Sequence, residues 1–357
     1  MNDKTTYSSL PGDTVIRVKL LSPLPSRYFM HQFPGGVPVW GNCHFSFDPA
    51  DRDYAWLVVY EDLPGLPDVP RNKRFETLAC PPAHTLLTTS EPASIKHYGN
   101  PFTRQFGCVL TSQDERALPH RDRIFSQTGL IWMYGVGAGH ERPFNAMAAN
   151  PPAAKTRNLS MVFSPKRQRH TLHHRRNTFM RQLMDALPEI DVYGQGARPL
   201  DDKAEALDTY RYHIAIENHI SPHHWTEKLA DAFLGLTLPF YCGCTNITDY
   251  FPAESFIPID MHDPAGALSI IRTAIANNAY AQRLPAIIEA RRRVLYEYNY
   301  FALVSREIEL RHMPGRAREA SGRIYSRHAL RRHSLANRLQ DIYGKARARI
   351  LHRARGG

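Results

Sequence analysis

Residues 210–233 constrain the fold most, because they predict a strand, a polar loop and a helix in direct succession. Residues 212–216 form an apolar, partly β-branched run that is typical of a buried strand. Ser221 followed by Pro222 predicts a helix start, with serine as the N-cap and proline at the first helical position. Residues 236–242 form a second apolar run, which completes a β-α-β unit. The chain is therefore predicted to be α/β.

Polar side chains are concentrated in the loop of this unit. In β-α-β units, ligands bind at the carboxyl ends of the strands, beside the helix N-terminus. The residues that the sequence places there are Glu217, Asn218, His223, His224, Thr226, Glu227 and Lys228. Carboxylates suit the hydroxyl groups of a nucleotide, whereas a lysine and free backbone amides suit its phosphates. The loop is therefore predicted to bind a nucleotide.

The same loop carries a family signature. Glu217-Asn218, five further residues and the run His224-Trp-Thr-Glu-Lys-Leu229 resemble glycosyltransferase family 10, the α-1,3/4-fucosyltransferases and their bacterial relatives. The resemblance continues through residues 239–257. It also reaches back to residues 176–179 and 88–94, and it covers roughly residues 80–305.

The resemblance implies a GT-B type fold, in which two Rossmann-like domains face each other across a cleft. We assign residues 1–150 to an acceptor-binding α/β domain and residues 151–310 to a donor-binding α/β domain. A Gly-, Ala- and Pro-rich stretch at residues 135–157 is predicted to link them. Residues 311–357 would form a basic helical tail.

The resemblance also implies an activity. The protein would be an inverting glycosyltransferase that moves fucose from GDP-fucose onto a hydroxyl of an oligosaccharide or lipid-linked glycan. Arg176 and Lys228 would hold the donor pyrophosphate, and Glu227 would bind the ribose hydroxyls. Glu91, which follows a predicted strand, resembles the general base of the family. The sequence leaves GDP-mannose or a UDP-sugar open as the donor.

Several of these residues also have structural interpretations. Arg176 belongs to a basic stretch that could form a solvated face, and Glu91 could be a surface glutamate before a proline turn. Glu217 and Asn218 could close the loop by capping backbone amides. His224 stands where the family commonly has a tyrosine; it can donate a hydrogen bond and, if protonated, attract a phosphate.

No cofactor or metal is expected beyond the nucleotide-sugar. Asp51-Arg-Asp53 matches the Asp-x-Asp pattern of metal-dependent glycosyltransferases, but it precedes a predicted strand, whereas that site follows one. The sequence contains no His-Glu-x-x-His motif, and Cys242-Gly-Cys244 has no partner pair nearby. Arg176, Lys228 and the helix N-terminus would neutralise the phosphates instead.

The net charge of +11 lies in the tail. Residues 311–357 contain twelve Arg and one Lys against Glu319 and Asp341, which also amounts to +11, so residues 1–310 balance to zero. Apolar residues in the tail recur at helical spacing: Leu335, Leu339, Ile342, Ala346 and Ile350. This pattern predicts an amphipathic helix that binds an anionic membrane surface.

Two alternatives for the tail remain open. The tail helix could pack on the body, with its arginines meeting Asp201, Asp202 and Glu205. The protein could also be a non-enzymatic binder of an anionic polymer, although nucleic acid is not the expected partner because the body is neutral. Five scattered cysteines and the lack of an apolar N-terminal segment predict a cytoplasmic protein, peripheral at the inner face of the membrane.

Overall fold

A computed structural model describes residues 15–164, 172–315 and 322–354. The β-strands are β1 Ile16–Leu21, β2 Val39–Trp40, β3 Cys43–Ser46, β4 Trp56–Tyr60, β5 Phe75–Thr77, β6 Thr85–Thr88, β7 Cys108–Thr111, β8 Arg123–Phe125, β9 Val136–Gly137, β10 His140–Glu141, β11 Arg157–Phe163, β12 Asp191–Gly194, β13 Tyr210–Ile216, β14 Leu238–Cys242, β15 Ile257–Pro258 and β16 Arg323–Tyr325. The α-helices are α1 Arg27–Met30, α2 Asn100–Thr103, α3 Phe144–Ala149, α4 His173–Ala186, α5 Glu227–Leu234, α6 Pro264–Ala276, α7 Ala279–Tyr296, α8 Tyr300–Arg311, α9 Arg327–His333 and α10 Leu335–Ala354.

The described residues form two compact units, and each unit contains its own sheet. The first unit contains residues 15–93, 97–129, 300–315 and 322–347. The second unit contains residues 94–96, 130–164, 172–299 and 348–354. The chain therefore enters the first unit, builds the second, and returns to the first at α8.

The first unit is built on a mostly parallel sheet. Its strand order is β2-β3-β1-β4-β6-β7-β8, and only β2 runs antiparallel to its neighbour. The central strand β4 is buried along its whole length, as its uninterrupted apolar sequence predicts. The β6 strand lies beside it and ends at Thr88, just before Glu91.

The second unit contains a five-stranded sheet in the order β12-β11-β13-β14-β15, and every described pair in it is parallel. Helix α5 connects β13 to β14. Six of its eight residues are buried, so the helix is apolar on most of its surface. The β-α-β unit is therefore confirmed, as are the two Rossmann-like units predicted for a GT-B type fold.

The observed units divide the chain differently from the predicted domains. Residues 130–150 belong to the second unit, where β9, β10 and α3 replace the predicted linker. Helix α8 belongs to the first unit because Phe301 stacks on Phe33, with ring centroids 3.7 Å apart. In the predicted tail, β16 pairs antiparallel with β5 and buries Ile324 in the core of the first unit.

Residues 129–134, Gly-Leu-Ile-Trp-Met-Tyr, are an apolar run whose composition predicts a strand, but they form no strand in the structure. The side chains of Ile131, Trp132 and Tyr134 are buried, as the apolar pattern predicts. The backbone amides of Met133 and Tyr134, however, donate to the carboxylate of Asp231 at 3.1 Å instead of to a neighbouring strand. A buried acid from α5 thus takes the place of a sheet partner.

In residues 15–164, 172–315 and 322–354, no helix combines the length and the apolar character needed to cross a membrane.

Candidate active site

A buried carboxylate organises the loop after β13. The side chain of Glu217 is fully buried, and its backbone amide donates to Cys242 O at 2.9 Å, which extends the pairing of β13 with β14. Its carboxylate accepts two hydrogen bonds from Thr226, one from the backbone amide at 2.8 Å and one from the hydroxyl at 2.7 Å. Burial raises the pKa of Glu217, and these donors together with Lys228 oppose that shift.

Helix α5 begins at Glu227. The prediction that it begins at Ser221-Pro222 is therefore wrong. Thr226 is the N-cap, and its hydroxyl oxygen accepts a hydrogen bond from the amide of Lys228 at 3.3 Å. The predicted start fails because Pro222 lies in a turn that leads to His223, whose φ is +61°. The amides of Thr226 and Lys228 are therefore already hydrogen-bonded, contrary to the expectation that free helix amides would face a phosphate.

Gly243, in the loop after β14, leaves the space that Glu217 occupies. A Cβ atom at this position would lie 2.4 Å from Glu217 Cγ and 2.5 Å from Tyr241 Oη. Both distances are shorter than van der Waals contact, so any larger residue would displace the carboxylate or the tyrosine. The backbone of Gly243 does not have a left-handed φ. A glycine is required at this position because neighbouring side chains approach the backbone closely.

Lys228 lies among carboxylates at the start of α5. Its ammonium nitrogen is 2.9 Å from Glu227 Oε1, 3.6 Å from Glu217 Oε2 and 3.1 Å from Thr226 Oγ1. Burial acts to lower the pKa of Lys228, but Glu227 and Glu217 outweigh it and raise the pKa above its ordinary value. Lys228 is therefore a cation at any physiological pH.

Glu227 lies between two lysines. Lys203, which the sequence analysis did not single out, reaches Glu227 Oε1 at 3.9 Å and Asp231 Oδ2 at 2.8 Å. Burial acts to raise the pKa of Glu227, but Lys228 and Lys203 hold it well below the usual range. Glu227 is thus an ionised acceptor, as a partner for ribose hydroxyls needs to be.

Arg176 is buried and lies on α4, so the interpretation as part of a solvated basic face is wrong. Its guanidinium donates to Asn218 Oδ1. Burial lowers the pKa of Arg176, and the carboxylates of Glu217 and Glu227 partly compensate. Among the described residues, its Nε atom has no hydrogen-bond partner. An arginine buried with a spare donor is suited to an anionic ligand.

The histidines of the loop are neutral rather than charged. His224 is buried, and its ring meets that of His219 edge-on, with centroids 5.6 Å apart. Burial lowers the pKa of His224 to about 3, so the expected attraction of a phosphate by a protonated His224 is not available at neutral pH. His223 is held by Asn246, whose Oδ1 accepts from its amide at 2.7 Å. His224 can act only as a neutral hydrogen-bonding group.

Glu91 lies in the first unit, in a loop that a second glutamate holds in place. Glu61 has φ of +73°, and its carboxylate accepts from the amide and the hydroxyl of Ser90 at 2.5 and 2.6 Å. Tyr98 donates its hydroxyl proton to Glu61 and accepts a hydrogen bond from the Glu91 amide at 3.2 Å. Burial raises the pKa of Tyr98, which keeps this donor protonated.

The Glu91 side chain is half-buried, and the Glu91 carbonyl accepts from Gln113 Nε2 at 2.8 Å. The backbone on both sides of the carboxylate is therefore fixed. This is more order than a surface glutamate before a turn requires. Sequence reasoning missed Glu61 and Tyr98, because nothing in their local sequence distinguishes them from other residues at strand ends and in loops.

The next feature is the arrangement of the side chains that could act as metal ligands. Across the parts of the chain that the structure describes, no three His, Cys, Asp or Glu side chains are arranged to hold a metal ion. In the Asp51-Arg-Asp53 segment, Asp51 Oδ1 accepts from the Asp53 amide at 2.8 Å and Asp53 pairs with Arg17. Both carboxylates therefore have partners in the first unit, that of Asp51 within the loop and that of Asp53 on β1.

The sequence of the second unit matches a known family. Residues 152–281 match the model of glycosyltransferase family 10 (fucosyltransferase), C-terminal part. The matched segment contains β11, α4, β13, α5 and β14, and thus the whole arrangement around Glu217. The match is thus confined to this segment of the chain, and it falls on the signature that the sequence analysis singled out.

Individual proteins of known activity are also similar to this chain. Human 4-galactosyl-N-acetylglucosaminide 3-alpha-L-fucosyltransferase 9 is 31% identical over 111 residues, which is 29% of this chain and 31% of the relative. The Pan troglodytes 3-galactosyl-N-acetylglucosaminide 4-alpha-L-fucosyltransferase FUT3 is 29% identical over 239 residues, which is 63% of this chain and 56% of the relative. The chain thus spans about a third to just over half of the length of these two relatives.

Among solved structures, a crystal structure of alpha1,3-fucosyltransferase with GDP-fucose is similar, with 15% identity and a TM-score of 0.44. The similarity covers 83% of this chain and 94% of that one. A DNA-modifying beta-glucosyltransferase has 9% identity and a TM-score of 0.43, over 82% of this chain and all of that one.

The structure brings most of the predicted donor residues into contact. Glu217, Thr226, Glu227 and Lys228 form one hydrogen-bonded cluster, and Arg176 with Asn218 forms a pair that is electrostatically coupled to it. His224 lies in the same loop. Which of these groups touch a ligand stays a prediction.

We expect Gly243→Ala to destabilise the protein by about 1–3 kcal/mol, because the new Cβ overpacks against Glu217 and Tyr241. Urea unfolding measures the change. Gly65→Ala is the control. A Cβ there would meet its nearest atoms, in Arg74, at 3.7 Å, and the backbone of Gly65 does not have a positive φ. The control should stay within about 0.5 kcal/mol of wild type. Equal stabilities for the Gly243 and Gly65 variants would contradict the close packing inferred at Glu217.

Proposed function

We propose that the protein is a fucosyltransferase that transfers fucose from GDP-fucose to a hydroxyl of a glycan acceptor. The observation that carries the proposal is the cluster of Glu217, Thr226, Glu227 and Lys228 at the start of α5, inside the segment that matches the model of glycosyltransferase family 10. The activity of the fucosyltransferases that resemble the chain supports the choice of sugar.

In this proposal, the second unit binds the donor. Lys228 and Arg176 are the cations that meet the diphosphate, and Glu227 accepts hydrogen bonds from the ribose hydroxyls. As the bond between the sugar and the diphosphate breaks, negative charge grows on the leaving phosphate. Two preorganised cations stabilise this charge, and both are held in place by hydrogen bonds before a ligand arrives.

The first unit supplies the base. The acceptor hydroxyl oxygen attacks the anomeric carbon of fucose, its proton passes to the Glu91 carboxylate, and the bond to the β-phosphate breaks to release GDP. One displacement of this kind inverts the configuration at the anomeric carbon. Glu61 and Tyr98 hold the backbone beside Glu91, and this supports its role as a positioned base.

The proposed activity is tested with GDP-fucose, a panel of oligosaccharide acceptors and excess EDTA. We expect fucosylated product to form at an undiminished rate in EDTA, because Lys228 and Arg176 supply the positive charge. Lys228→Ala should weaken GDP binding in calorimetry at least about tenfold, since a charged hydrogen bond is worth about 1.5–3 kcal/mol.

Arg176→Ala and Arg175→Ala make a matched pair for the same measurement. Arg176 is buried beside the cluster, whereas its neighbour Arg175 is exposed. Only the Arg176 variant should lose affinity for GDP. Wild-type affinity in both the Lys228 and the Arg176 variants would refute the donor site, and product from UDP-glucose but not from GDP-fucose would refute the choice of donor.

Glu91→Gln should lower kcat at least about a hundredfold while the affinity for GDP stays unchanged, because a general base acts in the transition state. Glu115→Gln, which changes an exposed glutamate of the same unit, is the control and should leave kcat unchanged. A loss of GDP affinity in the Glu91 variant would show that Glu91 belongs to the donor site or to the core.

For the tail, we propose a role at an anionic membrane surface. The apolar side chains of α10 are exposed: Leu335 by 71%, Leu339 by 57%, Ile342 by 54% and Tyr343 by 69%. On the opposite side of the helix, Asp341 is buried and pairs with Arg331 at 2.9 Å. The helix thus contacts the first unit with one face and offers an apolar stripe to solvent with the other.

The charge of the tail identifies the surface. Arg338 is exposed on α10 among the residues of the stripe, Arg332 is exposed on α9, and residues 311–357 carry +11 in total. Each basic residue near an anionic leaflet contributes about 1 kcal/mol. The alternative partners Asp201, Asp202 and Glu205 already accept hydrogen bonds from backbone amides of the second unit, those of Ala138, Ala204 and Asp202 respectively.

Vesicle flotation tests this role with Leu339→Gln/Ile342→Gln. We expect wild type to float with vesicles that contain phosphatidylglycerol, but not with pure phosphatidylcholine, and to dissociate as salt rises. The variant should lose this binding, while Ile288→Gln, which changes an exposed isoleucine of α7, should retain it. Point variants are needed because deleting residues 311–357 would remove the buried Ile324 from the core. Flotation of the variant as strongly as wild type would refute the proposal.

A further inference from the structure

A pocket in the first unit has four arginines in its lining. Its volume is about 450 Å³, within the range of small-molecule sites. Arg71, Arg74, Arg327 and Arg331 line it, together with His328 and one acid, Asp62. Four guanidinium groups against a single carboxylate give the pocket an excess of positive charge, which an anionic ligand would offset.

The arginines are held in place without using up their donors. Arg74 Nε donates to Val69 O at 3.2 Å, and Arg327 Nε donates to Tyr98 O at 3.3 Å. Arg331 Nε is 2.9 Å from Asp341 Oδ2. A guanidinium group has five N–H donors, so each of these groups keeps further donors after its structural contact.

Arg71 differs from the other three. It lies in a short 3-10 helix, Arg71–Lys73, and its side chain is exposed. In residues 15–164, 172–315 and 322–354, its guanidinium has no hydrogen-bond or ion-pair partner. Its backbone carbonyl accepts from Ser326 Oγ at 3.1 Å, which ties the helix to the opposite wall of the pocket. The side chain is thus available to a ligand while the backbone that carries it is fixed.

Burial and neighbouring charge support this interpretation. The pKa of Arg327 is lowered, first by burial and then by the charge of Arg331, and Asp62 only partly compensates. Repulsion between cations in a pocket is relieved when an anion binds between them. Arginines suit phosphate in particular, because their planar forks donate two parallel hydrogen bonds to its oxygens.

The pocket is connected to the loop that holds Glu91. The Arg327 guanidinium lies over the Tyr98 ring, 5.2 Å from its centroid, and Tyr98 is hydrogen-bonded to Glu61 and to the Glu91 amide. Asp62, in the pocket wall, directly follows Glu61. An anion at the arginines would therefore lie in the same unit, and along the same chain of contacts, as the proposed base.

We propose that this pocket binds a phosphate group carried by the acceptor, in addition to the donor diphosphate that the second unit binds. The phosphate could belong to a soluble phosphorylated glycan or to the headgroup of a lipid-linked one. The assignment to an acceptor rests on the proposed function, whereas the binding of phosphate does not.

Calorimetry with inorganic pyrophosphate tests the pocket in the full-length protein. We use the Lys228→Ala variant as background, so that binding at the donor loop is weakened. Adding Arg71→Ala should weaken pyrophosphate binding at least about tenfold, and Arg71→Glu should abolish it. Lys73→Ala is the matched control, because Lys73 lies in the same 3-10 helix and is exposed but does not line the pocket. It should change the affinity less than twofold.

Equal affinities in the Arg71 and Lys73 variants, whether both are weakened or neither is, would overturn the site. The source of the phosphate is distinguished by two further probes, glucose 1-phosphate and vesicles that contain phosphatidic acid. Sensitivity to Arg71→Ala with either probe supports the pocket and identifies its source, and insensitivity with both overturns it. GDP binding measured in Arg71→Ala with Lys228 intact should equal wild type, so a failure of this proposal is separate from a failure of the donor site.

Discussion

The arrangement of the second unit depends on satisfying one buried carboxylate. Glu217 lies at the end of β13 with no exposed surface, and an uncompensated buried charge would cost several kcal/mol. Thr226 supplies two donors and Lys228 supplies a cation. These contacts join the end of β13 to the start of α5, so they fix the conformation of the polar loop between the two elements. The positions of Lys228 and Glu227 follow from that conformation.

The charges around this carboxylate are close to balanced. Three cations face three carboxylates: Lys203, Lys228 and Arg176 against Glu217, Glu227 and Asp231. The lysines form ion pairs with the carboxylates, and Glu217 and Glu227 raise the pKa of Arg176 against the effect of burial. A cluster without net charge does not attract phosphate through a long-range field. In the proposed function, selectivity would come instead from direction: buried donors held in fixed positions would need little reorganisation as charge develops on the leaving group.

The first unit uses the same device with different residues. Glu61 is a carboxylate near the end of a strand that accepts three hydrogen bonds, from the Ser90 amide, the Ser90 hydroxyl and Tyr98. It holds the loop that carries Glu91, as Glu217 holds the loop that carries Lys228. In both units, a buried or nearly buried acid fixes the backbone beside a charged residue of the proposed site. Residues after the second unit, α8 and β16, complete the core of the first.

The sequence by itself determined the α/β class, the two strands of the β-α-β unit and the polar residues of the loop between them. These follow from apolar runs and a short contiguous signature, which are local properties of the chain. It did not determine the start of α5, because the hydrogen bonds of Thr226 with Glu217 join residues nine positions apart and override the local preference of Ser221-Pro222.

Only the tertiary structure decided the rest. The apolar run at residues 129–134 does not form a strand, because a carboxylate from α5 binds its amides. The basic C-terminal segment, which reads as one detached tail, divides into a strand that completes the core and a helix that exposes its apolar stripe. Glu61, Lys203 and the arginine pocket were also not apparent in the sequence. Each depends on contacts between residues far apart in the chain, and long-range pairing leaves no periodic or contiguous pattern in a single sequence.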